Sequence, residues 1–180
     1  HPNAQMRRLE TLEAPVAIGL DTLSQGRIQS VTTDEVIRTF QDFFAVLAGY
    51  GIAPESCTAV ATTAVRDARN RDVFLDRVEK TCGLRIRVIE AMEELRLNYQ
   101  LVRRTLGPRF DRGRHMLLSL GSGGTQVVVQ HDGMILFEET LHFGMLKLQG
   151  LTRGRWPHGA AVRGFLGKVV GAVNRLHDLD

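Results

Sequence analysis

Three glycines, a serine and a threonine sit together at Gly121-Ser122-Gly123-Gly124-Thr125, between two apolar runs. Leu117 to Leu120 precedes them and the β-branched Val127 to Val129 follows, which predicts a strand, a tight turn and a second strand. The chemistry open to such a turn is anion binding. Glycine permits positive φ and close approach of the backbone to a ligand. Successive N–H groups can line a concave anion site, and Ser122 and Thr125 add hydroxyl donors. Gly121, Ser122, Gly123, Gly124 and Thr125 are therefore candidate phosphate ligands. The same residues also suit an ordinary glycine-rich turn, because lone glycine motifs recur by chance.

Other stretches bear on the choice. Ala61-Thr62-Thr63-Ala64-Val65-Arg66-Asp67-Ala68-Arg69-Asn70 is similar to A-T-S-A-x-R-x-A-x-N. Val88-Ile89 followed by Glu93-Glu94-Leu95-Arg96-Leu97 is similar to V-I-S-G-x-E-E-A-R-L. The glycine stretch is similar to a D-[IL]-G-G-G-S-T-E loop, and Thr140-Leu141-His142-Phe143-Gly144-Met145-Leu146-Lys147-Leu148 to S-L-x-L-G-x-x-R-L. These four blocks, in this order over about residues 55 to 148, resemble the exopolyphosphatase and guanosine-pentaphosphate phosphatase (Ppx/GppA) family.

The resemblance implies a two-lobed α/β fold of the actin, Hsp70 and ribonuclease H type, with a phosphate site between the lobes. It implies hydrolysis of a terminal phosphoryl group, with Mg²⁺ as the expected cofactor. It places Glu94 at the first water-positioning carboxylate, Gln126 at the second, Ser119 at the aspartate associated with the metal, and Arg66 at the arginine that faces phosphate. Each position also has a bland reading. Glu94 lies in the first turn of a predicted helix, where any anion is favoured. Asn70 can act as a helix cap. A lone arginine is usually a surface residue.

The departures fall on the chemistry. An amide at Gln126 cannot take a proton. A hydroxyl at Ser119 withholds the anionic oxygen that Mg²⁺ favours, which puts the cofactor in doubt. Lys147 keeps the charge of the family's arginine without its fork. The phosphate cradle is thus expected to outlast the catalysis.

The elements that must position these residues follow from periodicity. Val16 to Leu20 reads as a short strand. Thr32 to Gly51 reads as a helix, with Thr32 and Glu35 as a capping box and Gly51 at C′. Its stripe of Val36, Phe40, Phe43, Phe44 and Leu47 reads as core. Cys57 to Thr63 and Arg85 to Ile89 read as strands, with a helix from Arg71 to Thr81 between them. Met92 to Leu106 is a strong helix, stopped by Gly107-Pro108. Then come strands over 115–120, 125–130 and 134–143, with a hairpin turn at Asp132-Gly133. Trp156-Pro157-His158 introduces a last helix over about 159–176.

Alternating strands and helices predict a parallel sheet with crossover helices over the first part, and consecutive hairpins open the second. The expected domains are residues 1–108, a first lobe without its opening phosphate hairpin, and 109–180, the start of a second lobe. Against the family pattern the fold is expected to be truncated at both ends. Met6 is either an initiator or part of an excised piece.

Composition sets the class. With 43% hydrophobic and 24% charged residues, the 180-residue chain is of soluble globular type. A net charge of +3 permits anionic partners. No apolar run nears the roughly 20 residues needed to span a bilayer. Cys57 and Cys82 lack metal-ligand spacing and read as buried thiols, so a cytoplasmic location is expected. Arg103, Arg104, Arg109, Arg112 and Arg114 cluster, yet few aromatics accompany them to stack bases, which argues against nucleic acid. The expected partner is polyphosphate or a phosphorylated guanosine nucleotide. Self-association is expected through an uncovered sheet edge. The competing readings are a non-catalytic homologue that binds a phosphate compound or a protein, and an actin-like ATP-binding piece.

Overall fold

A computed structural model describes residues 9–151 and 159–174. Met6, the Trp156-Pro157-His158 lead-in and positions 175 and 176 lie outside the described residues. The described residues form two separate sheets, one of two parallel strands and one of three antiparallel strands. Among the described residues no helix is long and apolar enough to cross a membrane.

The first unit begins with α1 (Ile18–Gln25), where the sequence predicted a strand at Val16 to Leu20. Five apolar residues carry no period that separates strand from helix. The helix runs on through polar residues and closes on Gly26, at φ +68°. In α2 (Ser30–Gly49) the predicted capping box fails. The helix starts before Thr32, which is buried inside it, and no side chain caps its N-terminus. The C-terminus is as expected. Gly51 has φ +69°, its N–H reaches Ala48 and that of Ile52 reaches Leu47, the paired bonds of a Schellman end.

Strand β1 (Ala59–Ala61) pairs in parallel with β2 (Ile86–Val88). The crossover contains the short α3 (Thr63–Arg66) and α4 (Arg71–Cys82). Ile28, Val36, Ile37, Val65, Ala68, Phe74 and Val78 form the core beneath. Asn70 does not cap α4 with its side chain. Its amide instead accepts from the Ile28 N–H (2.9 Å) and donates to the Ile28 carbonyl (2.8 Å), fastening the segment before α2.

The aromatic stripe of α2 is only partly core. Val36 is buried, but Phe40, Phe43, Phe44 and Leu47 are half-exposed. They wall an open apolar cavity of 570 Å³ beside β1. Cys57 and Cys82 are free and half-buried rather than fully buried, and burial pushes the Cys82 thiol up.

The second unit is organised on β4 (Thr125–His131), flanked by β3 (Arg114–Leu120) and β5 (Met134–Leu141). Asp132 and Gly133 both have positive φ, 49° and 80°, as the predicted two-residue hairpin requires. β4 is buried from Thr125 to Gln130, so both faces of the sheet are covered there. Helix α5 (Ala91–Leu106) supplies one cover: Leu95 and Tyr99 pack with Phe110 and Val128. Sequence order grouped α5 with the first lobe, but its body shares a core with the second sheet. Helix α7 (Gly159–Asn174) packs on β4 and β5. Before it, α6 (Met145–Leu151) is an element that the sequence reading did not foresee. At seven residues it is too short to show a period.

Candidate functional site

The loop after β1, the start of α5 and the β3–β4 turn meet at a small cavity of 40 Å³. Thr62, Thr63 and Arg66 come from the first unit, Ala91 and Glu94 from α5, and Ser119, Gly121 to Gly124 and Gln126 from the meander. Of the residues singled out from the sequence, Thr125, Asn70 and Lys147 do not line it. Thr125 is fully buried, and its hydroxyl donates to the Phe143 carbonyl at 2.7 Å. It anchors the turn and does not offer that hydroxyl to a ligand.

The turn is built by close approach. None of Gly121, Gly123 and Gly124 has positive φ, contrary to the first of the two uses of glycine that the sequence suggested. Gly121 N–H donates to Gly124 O at 2.9 Å and closes the turn. The Gly121 and Ser122 carbonyls accept from the N–H groups of Met145 and Leu146, both at 2.9 Å. They thereby satisfy the first orphan donors of α6. A Cβ at Gly123 would strike the Thr63 side chain, and one at Gly124 would lie 3.1 Å from the Leu141 carbonyl. Gly144 is tighter still. A Cβ there would lie 2.5 Å from Gly124 N and Ser122 O, and 2.6 Å from Gly121 O. All three are backbone atoms.

Arg66 is the cation lining the site, with a partly buried side chain 11% exposed. One Nη donates to the Ile89 carbonyl at 2.8 Å and the other to Thr63 Oγ1 at 3.0 Å. Its Nη1 stands 3.7 Å from Glu94 Oε2, and its Nε 3.8 Å from Asp67 Oδ1. A guanidinium has five N–H donors, so donors remain for a ligand oxygen. Glu94 lies in the first turn of α5, as expected, and among the described residues is the one carboxylate lining the cavity.

Gln126 has both ends committed. Its Nε2 donates to the Ala91 carbonyl at 3.1 Å, and its Oε1 accepts from Asn98 Nδ2 at 3.0 Å. The side chain clips the second sheet to the first turns of α5. Ser119 lies opposite Gln126 in the β3–β4 register. Asn98, Gly144 and Thr140 belong to the site and were not singled out from the sequence. Among the described residues the Thr140 hydroxyl is buried without a hydrogen-bond partner, and it lines the cavity. Gly144 and Thr140 lie in the last of the four blocks; nothing in the sequence marked Asn98.

The donor set fits a resident Mg²⁺ poorly. It offers one carboxylate, already facing Arg66, with neutral serine and threonine hydroxyls and one engaged amide. Mg²⁺ normally takes one or two carboxylates together with waters and substrate phosphates. Among the described residues no three His, Cys, Asp or Glu side chains converge.

Residues 2–155 match the sequence model of the Ppx/GppA phosphatase family. Over 127 residues the chain is 33% identical to exopolyphosphatase 1 of Mycobacterium leprae, covering 71% of this chain and 35% of that protein. A guanosine-5'-triphosphate,3'-diphosphate pyrophosphatase of Aliivibrio fischeri is 35% identical over 78 residues, 43% of this chain and 15% of that protein. The chain therefore spans about a third, or less, of these relatives' length. Among solved structures, the Aquifex aeolicus Ppx/GppA family member superposes with a TM-score of 0.62 at 26% identity, over 83% of this chain and 48% of that one. An exopolyphosphatase of Cytophaga hutchinsonii gives 0.66 at 21% identity, over 76% and 42%. The fold is thus the actin-like, ribonuclease H-like α/β fold of these structures, of which this chain covers part.

Proposed function

The chain belongs to the Ppx/GppA phosphatase family, and on that premise we propose that it binds the phosphoanhydride groups of polyphosphate or phosphorylated guanosine beneath the glycine turn and hydrolyses them slowly. The observation that carries this reading is the convergence of Arg66, Glu94 and the Gly121–Gly124 turn on one cavity from three separate segments. The unpartnered Thr140 hydroxyl supports it. Leaving such a group unsatisfied costs about 1–3 kcal/mol, a cost that an oxyanion in the cavity would remove.

In this reading Arg66 and the turn hold the terminal phosphoryl group, and Glu94 orients a water. Gln126 holds α5 in place. It has no proton-accepting role, and losing a positioned general base typically costs about 10²–10⁴ in rate. Mg²⁺, if used, arrives on the substrate's phosphates. The two names among the relatives, an exopolyphosphatase and a guanosine nucleotide pyrophosphatase, supply the two substrate classes.

Calorimetric titration with inorganic tripolyphosphate is the test of binding. Saturable binding is expected, weakened about tenfold or more in Arg66→Gln, since a charge-assisted hydrogen bond is worth about 1.5–3 kcal/mol. Absence of binding at millimolar anion, or equal affinity in the variant, overturns the proposal.

A cytoplasmic location and self-association are parts of the same proposal. Among the described residues the outer edge of β3 is unpaired, and Met116, Leu118 and Leu120 on that strand are 55%, 43% and 43% exposed. Uncovered apolar edges invite strand pairing, here with a second copy. Sedimentation is expected to show a concentration-dependent dimer that a Leu118→Lys change abolishes. A monomer at every concentration contradicts it.

A further inference from the structure

Thr63 sits where the first unit meets the glycine turn, and two neighbours fix its side chain. Its Oγ1 accepts from Arg66 Nη2 at 3.0 Å. Its Cγ2 faces Gly123, where an added Cβ would strike it. A β-branched side chain with both branches engaged has its χ1 rotamer set. Thr63 also stands between two cavities. With Ser122 and Gly123 it lines both the small one and a larger one of 180 Å³. Among the described residues, Arg66 lines the small cavity and not the larger. The side of Thr63 that carries the hydroxyl therefore belongs to the small cavity.

The proton of that hydroxyl is unspent. A guanidinium has donors and no acceptor, so Oγ1 meets Arg66 through a lone pair and its single O–H must go elsewhere. Among the described residues no carbonyl or carboxylate accepts it. Two other threonines near the site differ. Thr22 donates its hydroxyl to the Ala64 carbonyl at 2.8 Å, and Thr125 donates to that of Phe143 at 2.7 Å. The bond from Arg66 also polarises the Thr63 hydroxyl, because chained hydrogen bonds strengthen one another. A hydroxyl so prepared is matched to an anionic oxygen, to which hydrogen bonds are short and about twice as strong as between neutral groups.

We propose that Thr63 is a further ligand-binding residue of the small cavity: its hydroxyl, aimed by Arg66 on one branch and Gly123 on the other, donates to an oxygen of the bound phosphoryl group. The inference rests on the phosphate-site reading above and adds a neutral donor to the cation and the turn.

The test is equilibrium titration with inorganic tripolyphosphate of the unmodified chain, Thr63→Val, Thr63→Ser, Arg66→Gln, and Thr63→Val combined with Arg66→Gln. Thr63→Val keeps the branched shape and the contact with Gly123 but removes the donor. It is expected to bind about tenfold more weakly, the effect of one hydrogen bond to a charged group. Thr63→Ser keeps the donor and is expected to recover most of the affinity. In the Arg66→Gln chain, Thr63→Val is expected to weaken binding again but by a smaller factor, because the donor is present and nothing aims it. Equal affinity of Thr63→Val and the unmodified chain overturns the proposal, as does a serine variant no better than the valine one. So does the absence of any further loss in the Arg66→Gln chain, since Thr63 would then act only by placing the arginine. Each of these leaves the phosphate site standing. Failure of the unmodified chain to bind tripolyphosphate overturns both.

Discussion

Gly144→Ala is expected to abolish anion binding at the glycine turn and to lower the melting temperature by about 6–12 °C. Its Cβ would come within 2.6 Å of Gly121 O and 2.5 Å of both Ser122 O and Gly124 N. No rotamer relieves these contacts, because every atom involved is backbone. The turn or the start of α6 must move. Either movement breaks the bonds from Met145 and Leu146 to the Gly121 and Ser122 carbonyls. Overpacking of this kind typically costs about 1–3 kcal/mol, and the upper end is expected here. In a chain of this size each kcal/mol shifts the midpoint by about 2–4 °C. Thermal unfolding and a tripolyphosphate titration of the variant check both parts. Unchanged affinity would mean that the turn does not form the phosphate site.

The second large effect concerns the carboxylates that the chain lacks. Gln126→Glu restores a proton acceptor at that position, but it also sets a carboxylate oxygen against the Ala91 carbonyl that now accepts from Gln126 Nε2 at 3.1 Å. Two acceptors cannot bond unless the carboxyl is protonated, so the introduced group should have a raised pKa when folded. The sign follows. A carboxyl whose folded pKa lies above its unfolded value of about 4.3 favours the fold at low pH, and that contribution is lost as pH rises through the folded pKa. Gln126→Glu alone is therefore expected to destabilise the chain near neutrality and to add little activity. Ser119→Asp with Gln126→Glu is expected to do better, because Ser119 pairs with Gln126 across the strands and both oxygens that Mg²⁺ favours would then face one cavity.

The glycine turn, the Asp132-Gly133 hairpin and the change from crossover to meander were legible because each is local: a few adjacent residues dictate the geometry. The reason for the glycines was not. It lies in Thr63, Leu141 and Gly144, which only the fold brings to the turn. Gln126 is similar. Its residue type announces a lost base, but its clip between Ala91 and Asn98 depends on α5 packing against the second sheet. Thr125 looked like a ligand until Phe143 was found to hold its hydroxyl. The stretch of Val16 to Leu20 misled because five apolar residues carry no period. Asn70 misled because capping was the nearest role in sequence, while its partner Ile28 lies 42 positions away.

The most direct test of the account is phosphate release by the unmodified 180-residue chain from polyphosphate and from guanosine pentaphosphate, with and without Mg²⁺. Binding of both compounds is expected, with release barely above the protein-free rate, since Glu94 faces Arg66 at 3.7 Å and, among the described residues, no second carboxylate lines the cavity. Robust release that Glu94→Ala abolishes would contradict it, because Glu94 would then suffice to direct the water without a carboxylate at Gln126 or Ser119.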